Sequence, residues 1–252
     1  MKKIKILNFI SFFIFFNPFL PAQNIDSLVL EPGFKISIFA KNLSSPRQIA
    51  QGKNGTIFVG ERTGQIIALS DTDQNGQADE KKIIAEGLEY STGISIFNGD
   101  LYFSEISKIW KIENIESWLK KNNSSSDLPK KILVTDQLPG DKWHGWKWLK
   151  HDEQGGLYFN VGAPCNICLS ENSQYASILK IKNGEWEHVA RGVRNSVGFD
   201  FHPVTQKLFF TDNGRDWLGD DAPSCELNRV DQVGQFFGYP FKHATNTMDP
   251  EF

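Results

Sequence analysis

A chain of 252 residues with 40% hydrophobic and 23% charged side chains has the make-up of a soluble globular protein with a real core, arranged as one large domain or two smaller ones. A formal charge of −3 leaves no basic footprint, which argues against nucleic acid as a partner. Aromatics reach 13%, led by 20 Phe and 7 Trp, a usage that favours strands over helices.

The N-terminus comes first. Lys2, Lys3 and Lys5 precede a mostly apolar run from Ile6 to Leu20, and Pro21-Ala22-Gln23 offers a small-residue cleavage site after Ala22. This is the order of a secretion signal. The run is too short, and too interrupted by Asn8, Asn17 and Pro18, for a stable membrane span. The expectation is a signal peptide over 1–22, a domain over 23–252, and an exported protein, periplasmic or secreted.

From residue 47 one design repeats. The first strands are expected at Arg47–Ala50, Gly93–Ile96, Gly145–Trp148 and Gly198–Phe201. The second strands are expected at Thr56–Val59, Asp100–Phe103, Gly156–Phe159 and Lys207–Phe210, after turns such as Asn54-Gly55 and Asn98-Gly99. Third strands follow at Gln65–Leu69, Lys108–Ile112, Ser177–Ile181 and Glu226–Val230. Only 113–121 competes as a short surface helix. Antiparallel groups of short strands at a period near fifty residues predict a β-propeller, with a β-sandwich as the weaker alternative because it leaves the period unexplained.

The run Asp71 to Asp79 begins like a calcium loop, but its twelfth position is Lys82 where an EF-hand needs a bidentate Glu. An EF-hand is excluded, and a looser cation site at a hairpin tip stays open. Cys165 and Cys168 form a Cys-x-x-Cys followed by Leu169, which does not support c-type haem attachment, and three cysteines fall short of a structural zinc set. After export they suit one disulfide, either within the Cys165/Cys168 loop or from one of them to Cys225.

The repeat predicts where chemistry gathers. The start of a first strand and the end of a second share one edge of an antiparallel hairpin. That edge collects Arg47 with Glu61 and Arg62, Thr92 with Glu105, His144 with 162–164, and Arg194-Asn195 with 212–215. A His near the channel can serve as a general base, or can simply cap a strand edge. Arg194 offers a forked donor for carboxylate and carbonyl oxygens, or a surface ion pair. The loop 211–221, TDNGRDWLGDD, has the oxygen-rich make-up that hard cations prefer, and is equally an acidic solvated loop.

Taken together, GERTGQI, HGWKWL, GAPCNIC, ARGVRNSVGFDFHP, TDNGRDWLGDD and FGYP resemble the glucose/sorbosone dehydrogenase family, in its sorbosone-dehydrogenase-like branch, from about residue 29 to the end. The resemblance implies an all-β, six-bladed β-propeller quinoprotein, of which this chain carries about four blades and the start of another. It implies pyrroloquinoline quinone (PQQ) and calcium as cofactors and a sugar as substrate. His144 would be the catalytic base, Arg194 and Asn195 the contacts to the quinone, and the carbonyls of Gly214 and Arg215 the calcium ligands. Electrons would leave to a cytochrome or a quinone.

Two departures stand out. Tyr90-Ser91-Thr92-Gly93 occupies a loop where some members carry Gln, and Arg215 replaces a proline of some calcium loops. Two other functions fit a propeller. A metal-dependent lactonase-type hydrolase would need Glu61, Glu105, Asp212 and Glu226 to converge on an ion, and a non-catalytic binding propeller would not need the reactive edge.

Overall fold

A computed structural model of the chain describes residues 25–122 and 125–252, so the secretion-signal reading of 1–22 lies outside the described residues. Residues up to Ile38 form a unit of their own, described here as a 3-10 turn at Ile25–Ser27 followed by extended chain with a reversal at Glu31–Phe34. Residues Phe39–Phe252 form the second unit, which carries the repeat.

Four antiparallel sheets follow one another along the chain. The first holds β1 (Pro46–Gln51), β2 (Ile57–Glu61), β3 (Gln65–Ser70) and β4 (Glu80–Ala85) in sequence order. The second holds β5 (Ile94–Phe97), β6 (Asp100–Ser104), β7 (Ile109–Ile112) and β8 (Ile132–Thr135), with helix α1 (Ile115–Lys121) inserted before β8. The third holds β9 (Leu149–His151), β10 (Leu157–Val161), β11 (Ser177–Lys182) and β12 (Glu185–Arg191). The fourth has β13 (Phe199–Phe201), β14 (Leu208–Asp212) and β15 (Glu226–Arg229). Next, β16 (Gln235–Phe236) returns to pair in parallel with β12, and β17 (Lys242–His243) and β18 (Thr247–Met248) form a hairpin. This is a four-bladed portion of a β-propeller, as the repeat predicts. Among the described residues no helix is long and apolar enough to cross a membrane.

Turn chemistry sets the hairpins. Asn98 and Gly99 both take positive φ, 50° and 86°, which is the pair a type I′ turn needs to match the right-handed twist of β5 and β6. The blades then stack face to face. Phe58, Ile66 and Ala85 of the first blade bury themselves against Ile94, Leu101 and Phe103 of the second. Ile109 meets Leu149, Leu157 and Phe159, and Ile178 and Val189 meet Phe199 and Phe210. Each fully buried side chain of this size contributes about 1.5–3 kcal/mol, so the inter-blade seams carry most of the cohesion.

A polar peg crosses the inner strands. Gln48, buried on β1, donates to the Leu149 carbonyl at 2.7 Å and accepts from the backbone N–H groups of Ile94 and Leu149 at 2.9 and 3.0 Å. One amide thus ties β1, β5 and β9 around the channel, with every main donor and acceptor satisfied.

The structure departs from the strand pattern at one place that matters for function. Residues Gly145–Trp148 do not form the first strand of the third blade, which begins only at Leu149. Their backbone groups go to side chains instead. Asn160 accepts from Trp148 N at 2.6 Å and donates to Trp146 O at 3.1 Å, and Thr92 Oγ1 donates to Lys147 O at 3.0 Å. With its ladder bonds replaced, the segment is free to leave the pleat.

Candidate active site

Aligned on Ile57, Leu101, Leu157 and Leu208, the second strands close at Glu61, Val161 and Asp212, and in the second blade at Glu105, one residue past β6. Three blades therefore place an acid where the second strand closes. Glu61, fully buried, accepts from Ser44 N at 2.6 Å. Glu105 accepts from Glu89 N at 2.8 Å and from Trp110 Nε1 at 2.7 Å. Asp212 accepts from Arg194 N and Asn195 N at 2.9 and 2.6 Å. In each case the carboxylate captures a backbone N–H of the segment that enters the same blade, a strong charge-assisted bond. Burial pushes the Asp212 carboxyl up to about 7, while those two N–H bonds pull it down and nearby Glu226 adds to the rise.

These acids are caps, which removes the ligand set expected of a hydrolase. Glu226 is likewise held locally, accepting from Ala244 N and Asn228 Nδ2. Among the described residues the one close group of three acids is Asp71, Asp73 and Asp79, at the β3–β4 hairpin tip. There the carboxylates accept from backbone N–H groups of their own loop, including Asn75, Gly76 and Thr72.

The third blade lacks the acid, and its entry is built differently. His144 takes φ +50°, and its Nδ1 lies 2.9 Å from the Ala163 carbonyl oxygen. A carbonyl only accepts, so Nδ1 carries the proton of the neutral ring and Nε2 keeps a lone pair. Nε2 has no hydrogen-bond partner among the described residues. Burial, with the charge of Arg194, holds the imidazole pKa at about 4, so the ring is uncharged at neutral pH. Gly162 makes the close approach possible: a Cβ there would lie 2.5 Å from His144 Cβ. Trp143 packs edge-on to the His144 ring at 5.8 Å.

Arg194 and Asn195 sit in the corresponding entry of the fourth blade, both buried. The guanidinium of Arg194 uses all five of its N–H groups. Nε donates to Asn166 O at 2.8 Å, and Nη1 to Asn213 O and Gly214 O at 3.1 and 2.8 Å. Nη2 donates to Asn166 Oδ1 and Asp216 Oδ2 at 2.8 and 3.3 Å. Beside it, Asn195 Oδ1 is buried with no hydrogen-bond partner. An orphaned buried amide oxygen is costly and marks a place where a partner belongs.

Two features of this grip go beyond what the sequence could decide. A disulfide closes the Cys165–Cys168 loop while Cys225 stays free and exposed, which decides between the pairings left open. Inside that loop Asn166 presents both its carbonyl and its amide oxygen to Arg194 and donates to Asp216 O at 3.0 Å. The disulfide is therefore a mount for the Arg194 network. Tyr239 braces it from outside, its hydroxyl accepting from Cys168 N at 3.0 Å. Gly214 and Arg215 lie in the expected loop, and the Arg215 side chain is tied to Asp249 and Glu251 at 2.7 and 2.9 Å.

On the same edge, Arg62 lies 5.1 Å from the ring centroids of both Tyr90 and Trp146, a cation–π sandwich that joins the entries of the first three blades. Between the inner strands opens a pocket of about 340 Å³, lined by Arg47, Thr92, Trp146, Lys147 and Val197 among others. Every blade contributes to it, which places it in the channel.

Comparisons with known proteins agree with this fold. The chain is 32% identical over 242 residues to an uncharacterized protein of Borreliella burgdorferi, covering 92% of this chain and 62% of that one. The chain thus spans about three fifths of that relative's length. Among solved structures it resembles the calcium structure of a Trichoderma reesei carbohydrate-active enzyme of family AA12, with a TM-score of 0.70 and 17% identity over 84% of this chain and 60% of that one. It also resembles the PQQ domain of pyranose dehydrogenase from Coprinopsis cinerea, with TM-score 0.66, 16% identity, and 80% and 55% coverage. The PQQ-bound aldose sugar dehydrogenase of Streptomyces coelicolor follows at TM-score 0.65, 19% identity, and 85% and 69% coverage. At these identities the structures establish the shared fold. The family assignment comes from the sequence, which matches the TrAA12-like family model over residues 28–248: the chain belongs to the TrAA12-like family.

Proposed function

We propose that the chain belongs to an oxidoreductase that oxidises an aldose or related sugar, with PQQ and calcium as its cofactors. The observation that carries this reading is His144, an uncharged imidazole with Nδ1–H pinned and Nε2 unpartnered, on the edge that also holds buried Arg194 and the orphaned amide of Asn195. PQQ, when bound, would supply a hydride acceptor, and calcium would supply a Lewis acid beside it.

The chain's own residues divide the remaining work. His144 Nε2 takes the proton of the sugar hydroxyl under oxidation, and the bond from Nδ1–H to Ala163 O steadies the charge that develops on the ring. Asn195 offers its partnerless amide to a polar group of the cofactor. Arg194 contributes charge; a direct contact would displace one of its protein acceptors, of which Asp216, at 3.3 Å, is the farthest. The carbonyls of Gly214 and Arg215 are hard oxygen donors of the kind calcium takes. Gly214 O already accepts from Arg194 at 2.8 Å. Two neutral carbonyls beside a guanidinium attract a divalent cation only together with an anionic ligand, which the carboxylates of the cofactor supply. Calcium should accordingly bind weakly alone and tightly with PQQ.

The pattern of Lys2, Lys3 and Lys5 before an apolar run, and the disulfide, support an exported location, with a cytochrome or a quinone as electron acceptor. The test is to load the full-length protein with PQQ and calcium and follow dye reduction across a panel of sugars. Cofactor-dependent reduction is expected, lost in His144→Ala with PQQ binding retained. Because the ring is held at about 4, the acid limb of kcat/KM should fall well below pH 6.5. Absence of PQQ-dependent reduction with every sugar overturns the reading.

A further inference from the structure

Among the described residues the channel pocket is lined by two basic side chains and no acid. Arg47 stands exposed at its mouth on β1, and Lys147, only 2% exposed, lines it from the entry of the third blade. Neither forms an ion pair among the described residues. Three neutral polar side chains of the lining are committed elsewhere. Gln48 serves the backbone of Ile94 and Leu149, Thr92 Oγ1 donates to Lys147 O, and Trp148 Nε1 donates to Phe199 O at 3.0 Å. The ammonium of Lys147 has three donors and one acceptor among the described residues, the Gly145 carbonyl.

We propose that this pocket binds a carboxylate-bearing small molecule, its carboxylate meeting Lys147 with Arg47 at the mouth. A buried cation without a counter-ion is unfavourable, and an anion arriving in a water-poor pocket relieves it. A volume of about 340 Å³ accommodates one sugar-sized ligand. The residues that make this site are separate from His144, Arg194 and Asn195, so it does not depend on the quinone reading. Two sources share the chemistry: a free sugar acid, and a carboxylate of the cofactor itself.

Proton linkage gives the site a signature. Burial alone pulls Lys147 down to about 7, and among the described residues Lys147 and Arg47 are the titratable groups that line the pocket. At pH 8 the amine is mostly neutral, so carboxylate binding must draw in a proton; at pH 6 it is already charged, and the uptake vanishes.

Calorimetry on the full-length protein tests this with gluconate, with PQQ, and with glucose as the uncharged control, each in two buffers of different ionisation enthalpy. The expected result at pH 8 is an uptake of about one proton with at least one of the two carboxylates, and none with glucose. Lys147→Met should weaken that carboxylate by about tenfold or more, and Lys147→Arg should retain it. Loss confined to gluconate assigns the pocket to a sugar acid, and loss confined to PQQ assigns it to the cofactor; either upholds the proposal. A failure of PQQ to bind at all would sink the quinone reading and leave the gluconate arm standing. No binding of either carboxylate to the wild type, no proton uptake at pH 8, or unchanged affinities in a folded Lys147→Met protein overturns the proposal. If Lys147→Met does not fold, the proton uptake of the wild type decides.

Discussion

The entry of the third blade and the entries of the other three solve one problem in opposite ways. In the first, second and fourth blades an acid at the end of the second strand captures a backbone N–H of the entering segment: Glu61 takes Ser44, Glu105 takes Glu89, and Asp212 takes Arg194 and Asn195. In the third blade that position is Val161, buried, and the entering segment is held from the side by Asn160. Burial and the charge of Arg194 keep His144 neutral against the smaller upward pull of Asp216, and its Nε2 stays open. A capping acid in this position would supply an acceptor and stabilise the imidazolium, which ends its use as a base. The repeat thus builds the frame, and the site appears where one copy of the repeat is broken.

The largest effect should come from removing the group that the break exposes. His144→Gln is expected to lower turnover about 10²–10⁴-fold in the cofactor-loaded protein. Glu105→Gln, which weakens a cap, should leave turnover within a few-fold and instead cost about 1–3 kcal/mol of stability in denaturant titration. Equal losses of turnover in the two variants would erase the distinction between the blades. Restoring the acid is the next test. Val161→Asp places a carboxylate in a buried position with no backbone donor in place for it, and should destabilise the fold by about 3–5 kcal/mol. An unfolding curve like that of the wild type would mean that the missing acid is not what shapes this entry. Gly162→Ala is milder. Its Cβ must push on His144 Cβ from 2.5 Å, at a cost of about 1–3 kcal/mol and with a loss of turnover larger than the loss of stability accounts for.

The smallest effect lies in the pH dependence, and it guards against a false lead. His151, on β9, is also held at about 4 by burial, yet it is a packing residue, stacked on Phe97 at 5.0 Å and hydrogen-bonded to Ser95 at 2.9 Å. For both histidines the unfolded chain takes up a proton near pH 6.5 that the folded chain refuses until about 4. Their contribution to stability is therefore complete above 6.5 and is lost as the pH falls to 4. Asp212, pushed up to about 7, works in the opposite direction over the same window. The measurement is thus a difference: His151→Phe should flatten the acid-side slope of unfolding free energy by about one proton and leave turnover intact. A loss of turnover in that variant would mean that a lowered pKa alone marks the site.

Much of the frame could be read in the residues. The alternating second strands, the Asn-Gly turns and the third strands all carry strong local signals, and each forms within a residue or two of its expected place. The outer strands did not announce themselves. β4 and β12, EKKIIA and EWEHVAR, are half exposed, β4 at a sheet edge and β12 covered by β16 only at Ala190 and Arg191, and their charged residues protect against edge pairing and blur the period. Gly145–Trp148 misled for a different reason: its alternation is that of a strand, but a distant Asn160 supplies the backbone partners that a ladder would.

Sequence alone determined the propeller, the shared edge and the residues gathered on it, because periodicity two, turn residues and a period near fifty are local or repeating properties of the chain. It could not decide how those residues stand toward one another. That the acids are caps, that the fork of Arg194 closes on Asn166 and Gly214, and that Asn195 Oδ1 is left without a partner are outcomes of how segments 16 to 28 residues apart meet. The state of the His144 ring was decided in the same way. Its tautomer comes from Ala163, its room from Gly162, and its neutrality from burial among other blades, and only the folded chain brings these to one place.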